Sequence, residues 1–416
     1  MTHSKNKLNL VLSNLPFISA LLIIFIATIF TWHHYSYAQN PTTLRADFTG
    51  DGIVNAQDLD ILKSNWNSDL RVYDDDNRKL RGDANKDGTV DIKDLAILSV
   101  EWGRQIGQPP SPPPPSSVDV TPPSKTVKLI FIHHSTGENW LRDNHGQLGL
   151  ALRNNNYFVS DTNYGWGRNL PYSRNDTIGS TTDIGDWWTW FRGPNAEQYM
   201  AALYAESDKH STADGGYSRL ATDPGGPNEI IMFKSCFPNS VLRDDGTSIP
   251  SIGSNLLKGK AWGGGPGWEV YTVSNAKGIY IDLLEYFRRH PEKLFVAVVA
   301  PPVVTENTPD GRKLANWLVY HWLQDSNYTV GNVMVFDLYN VLTSKTGTGE
   351  NDAGLSIGNH HRVWNGAIQH KNNEGVDKLA YPTNGSDSHP NPAGGKKATA
   401  EFVPMLNAAY NAWKKK

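Results

Sequence analysis

The stretch Thr126-Val-Lys-Leu-Ile-Phe-Ile132, followed directly by His133-His134-Ser135-Thr136-Gly137, decides the fold of most of this 416-residue chain. A short unbroken apolar run that ends in polar and small residues has the pattern of a parallel strand buried on both faces. Similar runs stand at Glu229-Ile-Ile-Met-Phe233, Leu294-Phe-Val-Ala-Val-Val-Ala300 and Val333-Met-Val-Phe-Asp337, with a shorter one at Tyr157–Ser160. Helical patterns lie between them, among them Lys277–His290 and Ala315–Gln324, and Ala393–Trp413 reads as a terminal helix. Alternation of strand and helix predicts an α/β fold, an open parallel sheet with helices on both faces. Ligands bind such sheets beyond the carboxyl ends of the strands, so the residues after each run are the ones to inspect.

The first run leads into His133-His134-Ser135, the third into Lys234-Ser-Cys236-Phe-Pro-Asn239, and Ser386-Asp387-Ser-His389-Pro-Asn391 precedes the terminal helix. A serine at one strand end, with an aspartate and a histidine close together near the C-terminus, suits a Ser-His-Asp arrangement recognised by role rather than position. On these motifs residues 125–416 resemble the SGNH, or GDSL-like, hydrolases. The resemblance implies a flavodoxin-like three-layer sandwich and ester hydrolysis without a cofactor in that domain. It implies Ser135 as nucleophile, His389 as general base, Asp387 as its orienting partner, and Asn239 and Gly165 as oxyanion-hole donors. The sequence departs from that family's usual pattern at three places. Ser135 follows two histidines instead of Gly-Asp, one residue instead of two separates Asp387 from His389, and the asparagine lies in Phe-Pro-Asn.

Upstream, Asp47-Phe-Thr-Gly-Asp51-Gly52-Ile-Val-Asn55-Ala-Gln-Asp58 and Asp83-Ala-Asn85-Lys-Asp87-Gly88-Thr-Val-Asp91-Ile-Lys-Asp94 match almost position for position. Calcium takes six to eight oxygens, supplied by such a loop at positions 1, 3, 5, 7, 9 and 12, with glycine at 6 for the turn. The expected ligands are Asp47, Thr49, Asp51, Asn55 and Asp58 with the Ile53 carbonyl, and Asp83, Asn85, Asp87, Asp91 and Asp94 with the Thr89 carbonyl. Thr49 is a poorer ligand than Asn or Asp, so the first site is expected to be the weaker. Each loop runs into the same helical pattern, Leu59–Trp66 and Leu95–Trp102, and Pro41 argues against a helix entering the first loop. This duplicated EF-hand-like loop-helix unit, roughly residues 43–105, resembles the type I dockerin. The resemblance implies a small all-α domain folded around two structural calcium ions and a cohesin-type scaffold protein as partner.

Lys5 and Lys7, the apolar stretch Phe17–Trp32 and Ser36-Tyr-Ala38 form the pattern of a secretory signal peptide, expected to end at residue 38 and to leave no membrane attachment. An extracellular place, on a cell-surface scaffold, follows. One cysteine, Cys236, excludes an intrachain disulfide. A formal charge of −3 argues against nucleic acid as a partner. Residues 106–124, with the run Pro112–Pro115, read as a semi-rigid linker. The expected activity is removal of acetyl or similar groups from polysaccharide. The rival is a non-catalytic carbohydrate-binding domain.

Other patterns carry weaker expectations. Gly354-Leu-Ser356-Ile-Gly358 fits a nucleophile elbow but lacks the flanking strand and helix. His133-His134 and His360-His361 suggest metal ligation, yet neighbouring side chains of an extended backbone point apart. Cys236 reads as core, Trp187–Phe191 as either core or a sugar platform, and Asp183, Asp186 and Glu269 offer carboxylates for a glycosidase without a spacing that selects a pair.

Overall fold

A computed structural model describes residues 44–102, 118–170, 177–261, 268–344, 360–364, 366–372 and 377–416. The expected signal peptide and the Gly354–Gly358 motif lie outside them. The chain divides into two compact units, Met1–Pro114 and Pro115–Lys416.

The small unit contains helices α1 (Ala56–Ser64), α2 (Asp75–Lys79) and α3 (Ile92–Glu101). Residues 44–55 are non-helical, as Pro41 suggests, whereas the five-residue α2 ahead of the second loop has no apolar period to announce it. The ninth and twelfth residues of each loop serve twice. Asn55 caps α1 with Asp58 completing a capping box, and Asp91 caps α3 with Asp94 doing the same. Gly52 and Gly88 take φ of 86° and 90°, the left-handed turn that a Cβ would strain. Leu44, Phe48, Val54, Leu62, Val90 and Leu98 form a small buried core. The Glu101 carboxylate accepts the Ala46 N–H at 2.8 Å, tying the last helix to the segment before the first loop.

The large unit is built on five parallel strands, β1 (Val127–Ile132), β2 (Tyr157–Asp161), β3 (Ile230–Lys234), β4 (Leu294–Val298) and β5 (Val333–Phe336). Their order, β2-β1-β3-β4-β5, is the flavodoxin-like order with its switch point between β1 and β3. Every side chain of β1 to β4 is buried, so the sheet is covered on both faces. Ile130, Ile132, Ile231, Phe233 and Phe295 face one layer, packed by α6 (Ile184–Arg192), α7 (Ala196–Ala205), α8 (Val273–Arg289) and α9 (Pro309–Tyr320). Leu129, Phe131, Ile230, Met232 and Val296 face the other, packed by α4 (Ser135–Leu141), α5 (Leu148–Asn154), α11 (Leu338–Leu342) and α12 (Pro392–Lys414). The short α10 (Trp322–Asp325) follows α9, and an antiparallel hairpin, β6 (His360–Trp364) and β7 (Ala367–Lys371), stands apart from the main sheet.

Two expectations change. Residues 118–123 read as linker, but α12 and the start of β2 hold them: Asn411 Nδ2 donates to the Asp119 and Thr121 carbonyls, Asn407 Nδ2 to Val120 and Asn156 Nδ2 to Pro123. Trp187, Trp190 and Phe191 are fully buried and belong to the core, while Trp188 is half-buried with Lys258 Nζ 4.9 Å over its ring, so the run as a whole is not an open sugar platform. Among the described residues no helix is long and apolar enough to cross a membrane.

Phe233 is the hinge of the aromatic layer, with ring centroids 5.0 Å from Trp187 and 5.2 Å from Phe191. Phe233→Ala is expected to destabilise the large unit by about 3–5 kcal/mol, measured by denaturant unfolding of the full chain. A loss below about 1 kcal/mol would contradict this packing.

Candidate functional site

The chemistry-bearing residues gather at the carboxyl ends of β1, β2 and β3. Beyond β1, His133 is buried while His134 caps α4, placing Ser135 at its first position. Asp161, at the end of β2, accepts from His133 Nε2 (3.1 Å), Ser211 Oγ (2.6 Å), Tyr217 Oη (2.9 Å) and the backbone N–H groups of His210 and Ser211. Burial works to raise its pKa, but these bonds, led by His133, hold it below the ordinary carboxylate range. His133 thus braces the strand end. His134 meets Thr182 Oγ1 at 2.9 Å through Nδ1 and stacks on the exposed Tyr164 ring. Burial, then Lys234, His133 and His389, push its pKa down to about 3, so it is neutral at physiological pH.

The segment before α12 is fixed by its own sequence. Asn391 accepts from the Ala393 and Gly394 N–H groups as N-cap, Pro392 fills the first helical turn, and buried Ser388 accepts the Val304 N–H at 3.0 Å. Asp387 and His389 flank that anchor. His389 Nδ1 lies 2.6 Å from Asp387 Oδ1, and the His389 backbone N–H reaches the same oxygen at 2.9 Å. The backbone bond first, then the imidazole, hold Asp387 below the usual carboxylate range against the effect of burial. The His389 ring packs edge-on against Phe237, centroids 5.1 Å apart.

Phe237 belongs to the strand-end segment that carries Cys236, whose Sγ stands 3.3 Å from Ser135 Oγ. Ser135 and His389 are therefore drawn to one neighbourhood. No hydrogen bond joins them directly among the described residues; the serine hydroxyl contacts the thiol. Asn239 is buried, its Oδ1 accepting the Ile184 N–H at 2.9 Å and its Nδ2 donating to Asp183. The backbone donor fixes the amide orientation and leaves Nδ2 a second N–H. Gly165 has a φ of 82°, and its N–H donates to Ser180 Oγ at 3.2 Å, away from the expected oxyanion role. Asp183 and Asp186 form the capping box of α6 and Glu269 is exposed, so these three carboxylates do not make a pair across a cleft. His361 Nδ1 accepts the Asp337 N–H, away from His133 and His134.

A fully buried lysine was missed by the sequence reading. Lys234 donates to Thr136 Oγ1 and to the Ser235 carbonyl, and no carboxylate pairs with it among the described residues. Burial pushes its pKa down to about 8, with the Cys236 thiol opposing, which still leaves it largely an ammonium at neutral pH. Its position at the end of an apolar strand was the available signal.

In the calcium loops Asp47, Asp58, Asp83 and Asp94 are all buried with no basic partner among the described residues, and burial, then neighbouring Asp83, raises the Asp94 pKa. Buried like charges of this kind fit a cation. The loop carboxylates here accept backbone N–H groups, Asp58 those of Phe48, Thr49 and Asn55, and Lys93 Nζ lies 2.8 Å from Asp87. In keeping with that closed arrangement, no three Asp, Glu, His or Cys side chains converge on one point among the described residues.

Asp161→Ala is expected to cost about 3 kcal/mol by stranding several buried donors, as read by denaturant unfolding at pH 7. Because the folded pKa is depressed, the wild-type contribution is present above the unfolded carboxylate value and fades as pH falls through the folded one. A variant with wild-type stability at pH 7 would contradict the network.

Residues 45–101 match the dockerin type I domain family. No curated protein and no solved structure matches the chain. Dockerin domains bind calcium structurally and bind cohesin scaffold proteins, and proteins that carry them are typically extracellular cellulosome components. The sequence and the match over this segment agree that residues 45–101 are a type I dockerin domain.

Proposed function

We propose that the large unit is a serine ester hydrolase of the SGNH type that removes acetyl or similar acyl groups from polysaccharide, delivered to its substrate by the dockerin. The observation that carries this reading is the Asp387–His389 pair, packed through Phe237 against the segment whose Cys236 touches Ser135. With Nδ1 held by Asp387, His389 keeps Nε2 for the serine proton. Ser135 Oγ gives its proton to Nε2 and attacks the ester carbonyl. The alkoxide of the tetrahedral intermediate is met by the second Nδ2–H of Asn239 and the Ser135 N–H at the start of α4. The sugar hydroxyl leaves with the proton from His389, and water then cleaves the acyl-serine by the same route. Gly165 joins the oxyanion hole once its N–H leaves Ser180.

The rival, a non-catalytic carbohydrate-binding unit, draws on one observation, the engagement of Ser135 by a thiol instead of a base. Ser135→Ala divides the two. Turnover of aryl acetate and acetylated xylan is expected to fall roughly a thousandfold or more. Unchanged turnover would remove Ser135 from the mechanism, and wild-type inactivity with retained xylan binding would favour the rival.

Calcium, one ion in each loop, is assigned to folding and docking of the exported protein, held by Asp47, Thr49, Asp51, Ile53, Asn55 and Asp58 and by Asp83, Asn85, Asp87, Thr89, Asp91 and Asp94. Chelation with EDTA is expected to abolish capture of the full chain on immobilised cohesin and to leave aryl acetate turnover intact. A parallel loss of turnover would overturn the division of labour.

A further inference from the structure

Lys234, Thr136 and Cys236 form a continuous chain beneath Ser135. The lysine donates to Thr136 Oγ1, that hydroxyl lies 3.6 Å from Cys236 Sγ, and the thiol lies 3.3 Å from Ser135 Oγ. Lys234, Thr136 and Cys236 are each at most 5% exposed, so water does not reorder them. An ammonium only donates, so Thr136 Oγ1 is the acceptor in its contact with Lys234. Among the described residues the other partner of Thr136 Oγ1 is Cys236 Sγ, so the arrangement that leaves no buried proton unpaired sends the threonine proton to the sulfur. By the same rule the S–H points to the sulfur's remaining partner, Ser135 Oγ.

We infer that Lys234, Thr136 and Cys236 are a one-way donor relay that makes Ser135 Oγ an acceptor, turning its own proton toward the base. A buried cation without a carboxylate is costly to hold, and the relay gives it a use: its polarity is passed through two hydrogen bonds to the hydroxyl. The three are positioning residues, acting through Ser135 alone. The catalytic consequence rests on the serine hydrolase reading; the direction of the relay does not.

Cys236 is the chain's only cysteine, so its S–H stretch is a single infrared band in the full-length protein. In wild type at pH 7 the band is expected at the lowered frequency of a donating thiol, and Ser135→Ala is expected to move it toward that of a thiol with no acceptor. A band unmoved by Ser135→Ala, or no S–H band at all because the sulfur is a thiolate, would overturn the relay. In parallel, Cys236→Ala is expected to lower kcat on aryl acetate roughly tenfold, the worth of one ordinary hydrogen bond, and Cys236→Ser to restore it. Cys236→Ala with wild-type kcat would overturn the positioning role. A wild type without turnover would defeat the hydrolase reading, and the infrared band would still decide the relay.

Discussion

A sheet whose strands are apolar along most of their length and parallel throughout leaves polar chemistry mainly one place to stand, the strand ends. From β1 to β4 every side chain is buried, and the few polar ones, Lys128, Ser160, Asp161 and Lys234, find partners for their polar atoms. The carboxyl ends of β1, β2 and β3 sit side by side because the chain order places β1 between β2 and β3. Ser135, Asp161 and Cys236 are brought together by that register, across more than a hundred residues of sequence in the case of Ser135 and Cys236.

The same constraint explains why the strand ends are so heavily hydrogen-bonded. Asp161 and Lys234 are buried charges of opposite sign, each hydrogen-bonded locally and, among the described residues, not paired with the other. Asp161 is surrounded by donors, which favour its charged form, and Lys234 by acceptors. Two rigid polar clusters then frame α4 from below, so that the position of Ser135 is set from several directions at once. Close packing adds to this: a Cβ on Gly137 would lie 2.4 Å from the His133 side chain, which makes glycine the residue that lets α4 approach the strand end.

Local grammar was legible in the sequence and long-range packing was not. The five strands, the terminal helix and the paired calcium loops each follow from a run, a period or a spacing within a dozen residues. Asp387 and His389 lie two residues apart, so their pairing also needed no knowledge of the fold. By contrast, the thiol contact to Ser135, the bond from Gly165 to Ser180 and the attachment of residues 118–123 to α12 and the start of β2 depend on segments far apart in the chain. The β6–β7 hairpin was hidden because its alternation runs through His, Arg and Gln, which do not mark an apolar face. Trp187–Phe191 reads as core or platform until a sheet face is assigned to it. The sequence also treated Thr49 as the weak point of the calcium loops, while the structure adds Lys93, seated on the Asp87 carboxylate of the second.

The central claim is that Ser135 is an activated nucleophile. Incubation of the full chain with a fluorophosphonate, followed by mass spectrometry of the digested protein, tests it directly, since that reagent modifies serines whose proton a neighbouring base removes. The account requires one adduct per chain, on Ser135, lost in the His389→Ala variant. An unmodified protein, or an adduct on any other serine, would contradict it.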